Sequence, residues 1–359
     1  MAMGTFSALD GHEQVLYGSD EETGLRCIIA IHSTVLGPAL GGTRFYPYGS
    51  EDAALADVLA LAKAMTYKAA VAGLDVGGGK AVIIGDPATD KSEALLRGYG
   101  RTVASLGGRY VTACDVGTYP GDMAIVGREA RWVTGMDPEH GGSGDSGVTT
   151  AIGTFEGLRA CAQRVWGEPT LRGRHVAIQG VGKVGRRLAA HLHEDGAKLT
   201  VADVDEEAVA WCVEHLGASA ATTDEITATD ADILSPNALG GAIDAESVRR
   251  LSCRVVAGAA NNQLATPDMA HALEEAGILY APDYVINSGG IVQVADELRP
   301  GGYSAERAHR RAREIGDRLL EVFRVSDTEG VSTVDAAARV AERRIAAMHN
   351  AQRVRLPRD

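Results

Sequence analysis

The chain has 359 residues, more than the ~250–300 over which a single hydrophobic core usually grows, so we expect two domains. Its net charge is −13 and it has no block of Lys and Arg, which argues against a nucleic-acid surface because neutralising phosphates requires clustered cations. No apolar run reaches the ~18 uncharged residues of a membrane span, and residues 1–22 lack a basic region followed by an apolar stretch. We therefore expect a soluble cytoplasmic protein with small-molecule partners and neither a nucleic acid nor a membrane partner.

The cysteines are few and far apart. They form no C-x-x-C pair, and no Cys/His cluster has the spacing of a zinc site, so we expect reduced thiols and no metal. The five are Cys27, Cys114, Cys161, Cys212 and Cys253.

Residues 13–132 alternate short apolar runs with helical patterns, which predicts an α/β domain. The apolar run Cys27–Ile31 predicts a strand, and Ser50 is a candidate N-cap for a helix that starts at Glu51. Helical spacing brings Met65 and Lys68 to one face near the end of this helix. A lysine there is favoured by the helix dipole, so spacing alone indicates a solvated helix end for Lys68.

Two further residues in this half are candidates for chemistry. Lys80 follows three glycines and enters the apolar run Ala81–Ile84, where burial would lower its pKa toward the range useful for acid–base catalysis. Asp115 follows the predicted strand Tyr110–Ala113, at the mouth of a sheet, where ligands tend to bind. The structural alternatives are a lysine on a solvated turn and an aspartate that caps a helix.

The Gly-, Ser- and Asp-rich stretch from Pro138 to Gly147 marks a domain boundary. We predict a first domain at residues 1–138 and a second at 139–332, with a C-terminal helix in 333–359, from about Ala336 to Arg353, that packs back on the first domain. The second half alternates helices with strands, which predicts a parallel, doubly wound sheet. Its predicted helices are Ala151–Arg164 and Val184–Glu194, and its predicted strands are His175–Gln179, Lys198–Ala202, Asp232–Leu234, Arg254–Ala257 and Ile278–Tyr280.

A glycine-rich turn in the second half indicates a dinucleotide site. The motif G-x-G-x-x-G follows a predicted strand and opens a helix, which is the context that it requires. It comprises Gly180, Val181, Gly182, Lys183, Val184 and Gly185. Asp203 ends the next strand, 18 residues after Gly185, where a carboxylate binds the adenosine ribose hydroxyls and repels a 2′-phosphate. The pattern predicts NAD rather than NADP; the alternative is a plain strand-to-helix turn beside a loop carboxylate.

Several motifs in order along the chain resemble the glutamate/leucine/phenylalanine/valine dehydrogenase family, most closely its leucine/valine branch. They are Leu40–Arg44, Met65–Lys68, Gly77–Lys80, Asp115–Thr118, Gly180–Gly185, Ala259–Gln263 and Asn287–Gly290. The resemblance covers nearly the whole chain. It implies an N-terminal α/β domain for substrate binding and oligomerisation, a Rossmann NAD-binding domain, a cleft between them that closes to exclude water, and a homo-oligomer.

By this resemblance, Lys68 would bind the substrate carboxylate, Lys80 would be the general base, and Asp115 would assist proton transfer. Asn262 would contact the substrate amino group, with Gly41, Gly42 and Met65 also at the substrate. Thr150, Ala260, Asn261 and Asn287 would contact the cofactor. The implied reaction passes a hydride from the α-carbon of an L-amino acid to the nicotinamide. Lys80 would then activate water to attack the imino acid, giving a 2-oxo acid and ammonia.

The resemblance places Leu40, Ala113, Ile291 and Val294 around the substrate side chain. All four are apolar, whereas glutamate needs a cation. The Ile291 and Val294 side chains narrow the pocket, which disfavours an aromatic ring, so a branched aliphatic substrate is expected. One methylene changes discrimination by only ~1–3 kcal/mol, so overlap among valine, leucine and isoleucine is expected.

Three alternatives remain at this point. They are a phenylalanine dehydrogenase, a non-catalytic sensor of NAD or amino acids, and a 2-hydroxy-acid dehydrogenase, for which we find no His, carboxylate and Arg set. Cys114 departs from the family, which has an acidic residue there in the leucine branch and proline in the phenylalanine branch.

Overall fold

The computed structural model describes residues 9–351, which form two compact units. The first unit contains the chain as far as Asp145, the segment Val294–Ala305, and the chain from Ala341 onward. The second contains Ser146–Gln293 and Glu306–Val340. The sequence predicted domains at residues 1–138 and 139–332, with residues 333–359 packing back on the first, and these domains remain a prediction. The boundary between the two compact units lies at Asp145, seven residues after the predicted boundary. The first unit also includes Val294–Ala305.

The first unit is built on a mixed sheet. Its strands are β1 (Gln14–Asp20), β2 (Leu25–Ser33), β3 (Ala39–Tyr46), β4 (Gly77–Ile84) and β5 (Tyr110–Cys114), in the order β1-β2-β4-β3-β5. β2 is antiparallel to β1 and β4, whereas β3 is parallel to β4 and β5. The predicted strands lie within β2, β4 and β5. Strands β1 and β3 had no clear sequence signal, because β1 is a partly exposed edge and β3 has a Gly-Gly pair at its centre.

Helices cover both faces of this sheet. They are α1 (Glu51–Val71), α2 (Glu93–Ser105) and α3 (Pro120–Val126). The predicted cap of α1 is confirmed, since the Ser50 hydroxyl accepts a hydrogen bond from the Ala53 N–H at 3.1 Å. The helix buries Val58 and Ala62 against Ala30 and other side chains of β2 and β4.

Gly78 allows α1 to lie directly on β4. A Cβ atom at Gly78 would stand only 2.1 Å from the backbone nitrogen and the hydroxyl of Thr66. Thr66 lies in α1 two residues before Lys68, and Gly78 lies in β4 two residues before Lys80. This close approach therefore brings the end of α1 onto the part of the sheet that carries Lys80.

The second unit contains a wholly parallel sheet of the Rossmann type, as predicted. Its strands are β6 (His175–Gln179), β7 (Lys198–Ala202), β8 (Ser219–Ala220), β9 (Ile233–Pro236), β10 (Val255–Val256) and β11 (Leu279–Tyr280), in the order β11-β10-β9-β6-β7-β8. The chain runs outward from β6 to β8 and then returns to β9 on the other side of β6. The carboxyl ends of β6 and β9 are therefore the switch point where nucleotides bind in such sheets.

Ten α-helices lie between Gly147 and Ala351 within the part of the chain that the structure describes. They are α4 (Gly147–Trp166), α5 (Lys183–Glu194), α6 (Glu206–Leu216), α7 (Ala245–Arg250), α8 (Met269–Glu275), α9 (Asp283–Ile286), α10 (Gly289–Asp296), α11 (Ala305–Arg313), α12 (Ile315–Glu329) and α13 (Thr333–Ala351). The predicted end of the last helix, Arg353, lies outside the described residues. From Ala341 onward α13 belongs to the first unit, where Arg344 donates to the Leu74 carbonyl and the Asp75 carboxylate.

Within residues 9–351, no helix is both long and apolar enough to cross a membrane. The same residues contain no group of three or more His, Cys, Asp or Glu side chains that could hold a metal ion. Each of the five cysteines lies in this range and is free, as predicted.

We predict that Gly78→Ala lowers the thermal unfolding midpoint and the turnover together, because the added methyl group must push α1 away from β4. Overpacking of this kind costs ~1–3 kcal/mol. Gly49→Ala is the control, since none of the described atoms lies within 4 Å of a Cβ placed there. Scanning calorimetry of both variants checks the prediction, and equal midpoints for the two would contradict it.

Candidate active site

The first unit contains a buried ion pair between Lys80 and Asp115. The Lys80 ammonium nitrogen lies 2.8 Å from Asp115 Oδ2, and Lys80 is only 6% exposed. This burial excludes the alternative in which Lys80 sits on a solvated turn. A buried charge is costly unless it is paired, so the two side chains stabilise each other in their ionised forms.

Strand register explains why Lys80 faces inward. Lys80 pairs with Ala30, and paired residues of neighbouring strands point to the same face of a sheet. Ala30 packs under α1, so Lys80 lies on the face that α1 covers. Lys68, half-buried in the last turn of α1, is on the element that packs against this face.

Asp115 is held by the turn that follows β5. Its backbone N–H donates to the Thr118 hydroxyl at 3.0 Å, and that hydroxyl donates to the Thr43 carbonyl at 2.8 Å. Gly117 has φ +79°, and a Cβ there would be 2.1 Å from the Phe45 carbonyl oxygen, so the turn lies directly against β3. The N-cap of the next helix is Tyr119, which rules out the helix-capping alternative for Asp115.

Arg44 was not assigned a role from the sequence, yet it completes this charge cluster. Its Nε atom lies 3.2 Å from Asp115 Oδ2, and its Nη1 atom lies 2.9 Å from Asp57 Oδ2. Burial raises the pKa of the Asp115 carboxyl, but the Lys80 and Arg44 cations outweigh burial and hold that pKa below its usual range. The available sequence signal was a cation inside the otherwise uncharged run Ala39–Phe45, the same signal that singled out Lys80.

Strand β3 lies between β4 and β5 and contains the predicted substrate residues Leu40, Gly41 and Gly42. A Cβ at Gly41 would be 1.7 Å from the Gly79 carbonyl oxygen, and one at Gly42 would be 2.9 Å from the Asp115 Cβ. No larger residue fits at either position without moving a neighbouring strand.

The other predicted substrate residues are more widely distributed. Ala113 pairs with Gly42 and is 7% exposed, whereas Leu40 has no exposed surface. Met65 is half-buried on α1. On α10, Ile291 is buried and belongs to the second unit, whereas Val294 is half-buried and belongs to the first.

Cys114, the residue that departs from the family pattern, is a partly buried thiol. It donates to the Gly135 carbonyl at a sulfur–oxygen distance of 3.4 Å, and burial raises its pKa to about 12. The side chain beside Asp115 is therefore neutral at physiological pH.

The glycine-rich turn of the second unit has the shape that a dinucleotide requires. Gly180 has φ +94°, which allows the tight turn, and a Cβ at Gly185 would be 2.0 Å from the Gly180 carbonyl oxygen, so α5 packs closely on the turn. At Gly182, in contrast, an added Cβ would meet none of the described atoms within 4 Å. This open space lies at the start of α5, whose first turn includes Lys183 and Val184. In dinucleotide-binding folds, the pyrophosphate approaches the backbone at this point.

Asp203 lies at the end of β7, half-buried beside the turn. One carboxylate oxygen accepts a hydrogen bond from the Val181 N–H at 2.7 Å, and the other accepts from the Asp205 N–H at 3.0 Å. These two bonds fix the orientation of the carboxylate. The glycine-rich turn and Asp203 therefore fit a bound dinucleotide, and the prediction of this site from motif and spacing is supported by geometry.

The predicted cofactor residues after β10 form a hydrogen-bonded loop. The Asn287 side chain donates to Asn261 Oδ1 at 2.8 Å and to the Ala259 carbonyl at 3.2 Å, and Ala260 is buried. Asn262 is exposed and has φ +51°, a conformation that costs energy and often marks functional loops.

Asn237, which the sequence analysis missed, ties this loop to the switch point. Its N–H donates to the Gln179 carbonyl at 2.6 Å, and its side-chain oxygen accepts from the Ala259 N–H at 2.9 Å. Thr150 lies half-buried on α4, and its hydroxyl donates to the Ser146 carbonyl at 2.9 Å. A Cβ at Gly290 would lie 3.3 Å from that hydroxyl oxygen.

A buried lysine–aspartate pair in one unit and a dinucleotide turn in the other are the features of a nucleotide-dependent dehydrogenase. Comparison with known proteins supports this class. The model of the Glu/Leu/Phe/Val dehydrogenase dimerisation domain matches residues 12–132, and the Glutamate/Leucine/Phenylalanine/Valine dehydrogenase model matches 141–216 and 200–353. The chain belongs to this family and is an amino-acid dehydrogenase.

Individual relatives agree with the family match along nearly the whole chain. Valine dehydrogenase of Streptomyces virginiae is 56% identical, over 93% of this chain and 94% of that protein. Leucine dehydrogenase of Geobacillus stearothermophilus is 50% identical, over 95% of this chain and 92% of that protein. The crystal structure of L-tryptophan dehydrogenase from Nostoc punctiforme has a TM-score of 0.86 and 41% identity, over 96% of this chain and 99% of that one.

We predict that Gly182→Ala and Gly185→Ala separate cofactor binding from folding. A methyl group at Gly182 meets open space, so the thermal midpoint should hold while NADH affinity falls at least about ten-fold, because the methyl displaces the pyrophosphate. Gly185→Ala should lower the midpoint, because its Cβ would meet the Gly180 carbonyl oxygen at 2.0 Å. NADH fluorescence titration and thermal unfolding measure both effects. Unchanged NADH affinity in a folded Gly182→Ala protein would contradict the assigned site.

Proposed function

We propose that this protein catalyses the NAD-dependent, reversible oxidative deamination of a branched aliphatic L-amino acid to its 2-oxo acid and ammonia. The observation that carries the proposal is the buried pair in which Lys80 Nζ lies 2.8 Å from Asp115 Oδ2. A protein that only sensed NAD or an amino acid would have no need to bury a lysine there. The valine and leucine dehydrogenases that cover almost the whole chain support the branched aliphatic substrate.

Each step of the reaction has a candidate side chain. Lys68 binds the substrate carboxylate through its ammonium group, and Asn262 accepts a hydrogen bond from the substrate amino group. A nicotinamide bound at the dinucleotide turn would supply the hydride acceptor, so that loss of the α-hydrogen leaves the substrate as an imino acid. Lys80, as a neutral amine, takes a proton from water while the water oxygen bonds to the imino carbon. The proton on Lys80 passes to the nitrogen of the resulting carbinolamine. Lys80 then takes the proton of the carbinolamine hydroxyl as the carbon–nitrogen bond breaks, so ammonia leaves and the 2-oxo acid remains.

The proposed preference for NAD over NADP rests on Asp203. Its carboxylate is held in place by the Val181 and Asp205 N–H groups, at the strand end where the adenosine ribose binds in this fold. A 2′-phosphate would bring like charge against it. The neighbouring pocket includes the apolar side chains of Val204, Val209, Val213 and Ala220, which suit an adenine ring, and Glu206 and Glu214 also line it.

The substrate preference rests on the apolar character of Leu40, Ala113, Ile291 and Val294. None of the four offers a charge to a glutamate side chain. An aromatic substrate remains the second candidate, because the similar tryptophan dehydrogenase carries an aromatic substrate in its name.

The experiment that tests the function is NADH production at alkaline pH with L-valine, L-leucine, L-isoleucine, L-phenylalanine, L-tryptophan and L-glutamate, each with NAD and with NADP. We expect the highest kcat/KM on the three aliphatic substrates with NAD. A preference for an aromatic substrate would reassign the substrate class, and the absence of turnover on every substrate would remove the enzyme assignment.

Lys80→Ala provides the matching variant. We expect it to abolish turnover while NADH binding persists, because the dinucleotide turn is in the second unit. Lys91→Ala is the control, since Lys91 also forms a partly buried pair, 2.7 Å from Asp122, and has no proposed catalytic role. Near-normal turnover by Lys80→Ala would exclude Lys80 as the base.

We also propose that the chain forms a homo-oligomer. The support is the match of residues 12–132 to a dimerisation domain. Light scattering at micromolar concentration should give a mass of at least two chains, and a monomer mass of about 37.5 kDa would contradict the proposal.

A further inference from the structure

Asp115 is shared by two cations of different chemical character. Its Oδ2 atom lies 2.8 Å from Lys80 Nζ and 3.2 Å from Arg44 Nε. Arg44 is itself fixed on its other side, because its Nη1 donates to Asp57 Oδ2 at 2.9 Å, and Asp57 also accepts a hydrogen bond from the Tyr48 hydroxyl. The guanidinium therefore has carboxylates on two of its nitrogens and is held in one position.

Titratable and charged groups from several elements surround Asp115. They are Lys80 on β4, Arg44 on β3, Asp57 and Lys68 on α1, Tyr48 in the connection before α1, and Tyr110 and Cys114 on β5. The carboxylates of Asp122, Asp137 and Glu297 act on the neighbouring Cys114. Tyr110 and Cys114 are neutral, since burial raises the pKa of the Tyr110 hydroxyl above its usual range and that of the Cys114 thiol to about 12. The charges in direct contact with Asp115 are therefore those of Lys80 and Arg44, and Asp57 contacts Arg44 on its other side.

A lysine that works as a base creates a difficulty for its partner. Lys80 must lose its proton to act, and at that moment the Asp115 carboxylate, whose side chain is only 23% exposed, loses the cation of its ion pair. A poorly solvated carboxylate without a cation tends to take up the proton itself. The proton would then be shared within the pair and would not be available for the substrate.

We propose that Arg44 is a positioning residue that keeps Asp115 ionised while Lys80 gives up and regains its proton. A guanidinium does not deprotonate in proteins, so Arg44 presents a permanent cation in both protonation states of Lys80. Arg44 acts through Asp115 and needs no contact with the substrate. The inference rests on the proposed function, in which Lys80 is the base.

The test is the pH profile of kcat/KM for Arg44→Met and Arg44→Lys with the best amino acid. Without the Arg44 cation, the Lys80–Asp115 pair releases its proton less readily, so the acid limb should move to higher pH. In Arg44→Met we expect kcat/KM on the acid side to fall about ten-fold, which corresponds to a shift of the acid limb by roughly one pH unit. At alkaline pH, kcat/KM should recover. In Arg44→Lys the acid limb should stay close to its position in the unmodified protein, because lysine keeps a cation at this site.

Asp57→Asn supplies an effect of opposite sign. It removes an anion from the same cluster, so the acid limb should move to lower pH. If the two substitutions merely loosened the fold, they would not shift the acid limb in opposite directions, to higher pH in Arg44→Met and to lower pH in Asp57→Asn. Thermal unfolding of each variant shows whether enough folded protein is present for the comparison.

Arg97→Met is the matched control. Arg97 has the same arrangement as Arg44, with Nε 3.0 Å from Glu93 and Nη1 3.2 Å from Glu129, but it does not touch Asp115. Its pH profile should match that of the unmodified protein. An equal loss of activity at every pH in Arg44→Met, with the acid limb in place, would overturn the inference.

The same series separates this inference from the proposed function. If the unmodified protein oxidises no amino acid, or if Lys80→Ala retains turnover, the proposed function fails. If turnover depends on Lys80 but Arg44→Met and Asp57→Asn leave the acid limb unmoved, only the role of Arg44 fails.

Discussion

The first unit depends on the burial of one lysine–aspartate pair. A buried charge costs several kcal/mol unless it is paired and hydrogen-bonded, so the surrounding chain must hold both partners within hydrogen-bonding distance. Strand β4 supplies Lys80, the turn after β5 supplies Asp115, and β3 lies between them with Gly41 and Gly42. Gly42 leaves room for the Asp115 side chain, whose Cβ would lie 2.9 Å from an added methyl group, whereas Gly41 allows β3 to lie against the Gly79 carbonyl of β4. A side chain at either glycine would push a neighbouring strand away from β3.

Glycine serves a different purpose in each unit. At Gly78 in the first unit, it allows the protein's own backbone to approach, since a Cβ atom there would stand 2.1 Å from Thr66. In the second unit, Gly180 and Gly185 also serve close packing, whereas Gly182 faces open space. Gly182 also has a negative φ, so neither packing nor backbone conformation within the protein requires glycine at this position of the motif. Its purpose is understood only with a ligand, and the neighbouring helix N-terminus indicates an anionic one.

The sequence predicted the second unit better than the first for a physical reason. Strands β6 and β7 were predicted at their observed bounds, because strands of a parallel sheet are buried on both faces and read as short apolar runs between helices. Strand β3 and the role of Arg44 were missed, since a Gly-Gly pair hides the strand pattern and the partners of Arg44 lie 13 and 71 residues away. Local pattern also left Lys80 undecided between a turn and a buried site. The register with Ala30, which is a long-range property, decides that question.

The two cations at Asp115 divide one electrostatic task between a group that titrates and a group that does not. A single lysine could not both release its proton and continue to neutralise the carboxylate beside it. A single arginine could neutralise the carboxylate but could not act as a base, because its guanidinium stays protonated. The pairing of Arg44 with Asp57 then limits the positive charge of the cluster, since an unpaired second cation would oppose the binding of a proton to Lys80 between turnovers. The order Asp57, Arg44, Asp115, Lys80 alternates charge from the helix to the base, so the proton on Lys80 can come and go while every other charge in the cluster keeps its partner.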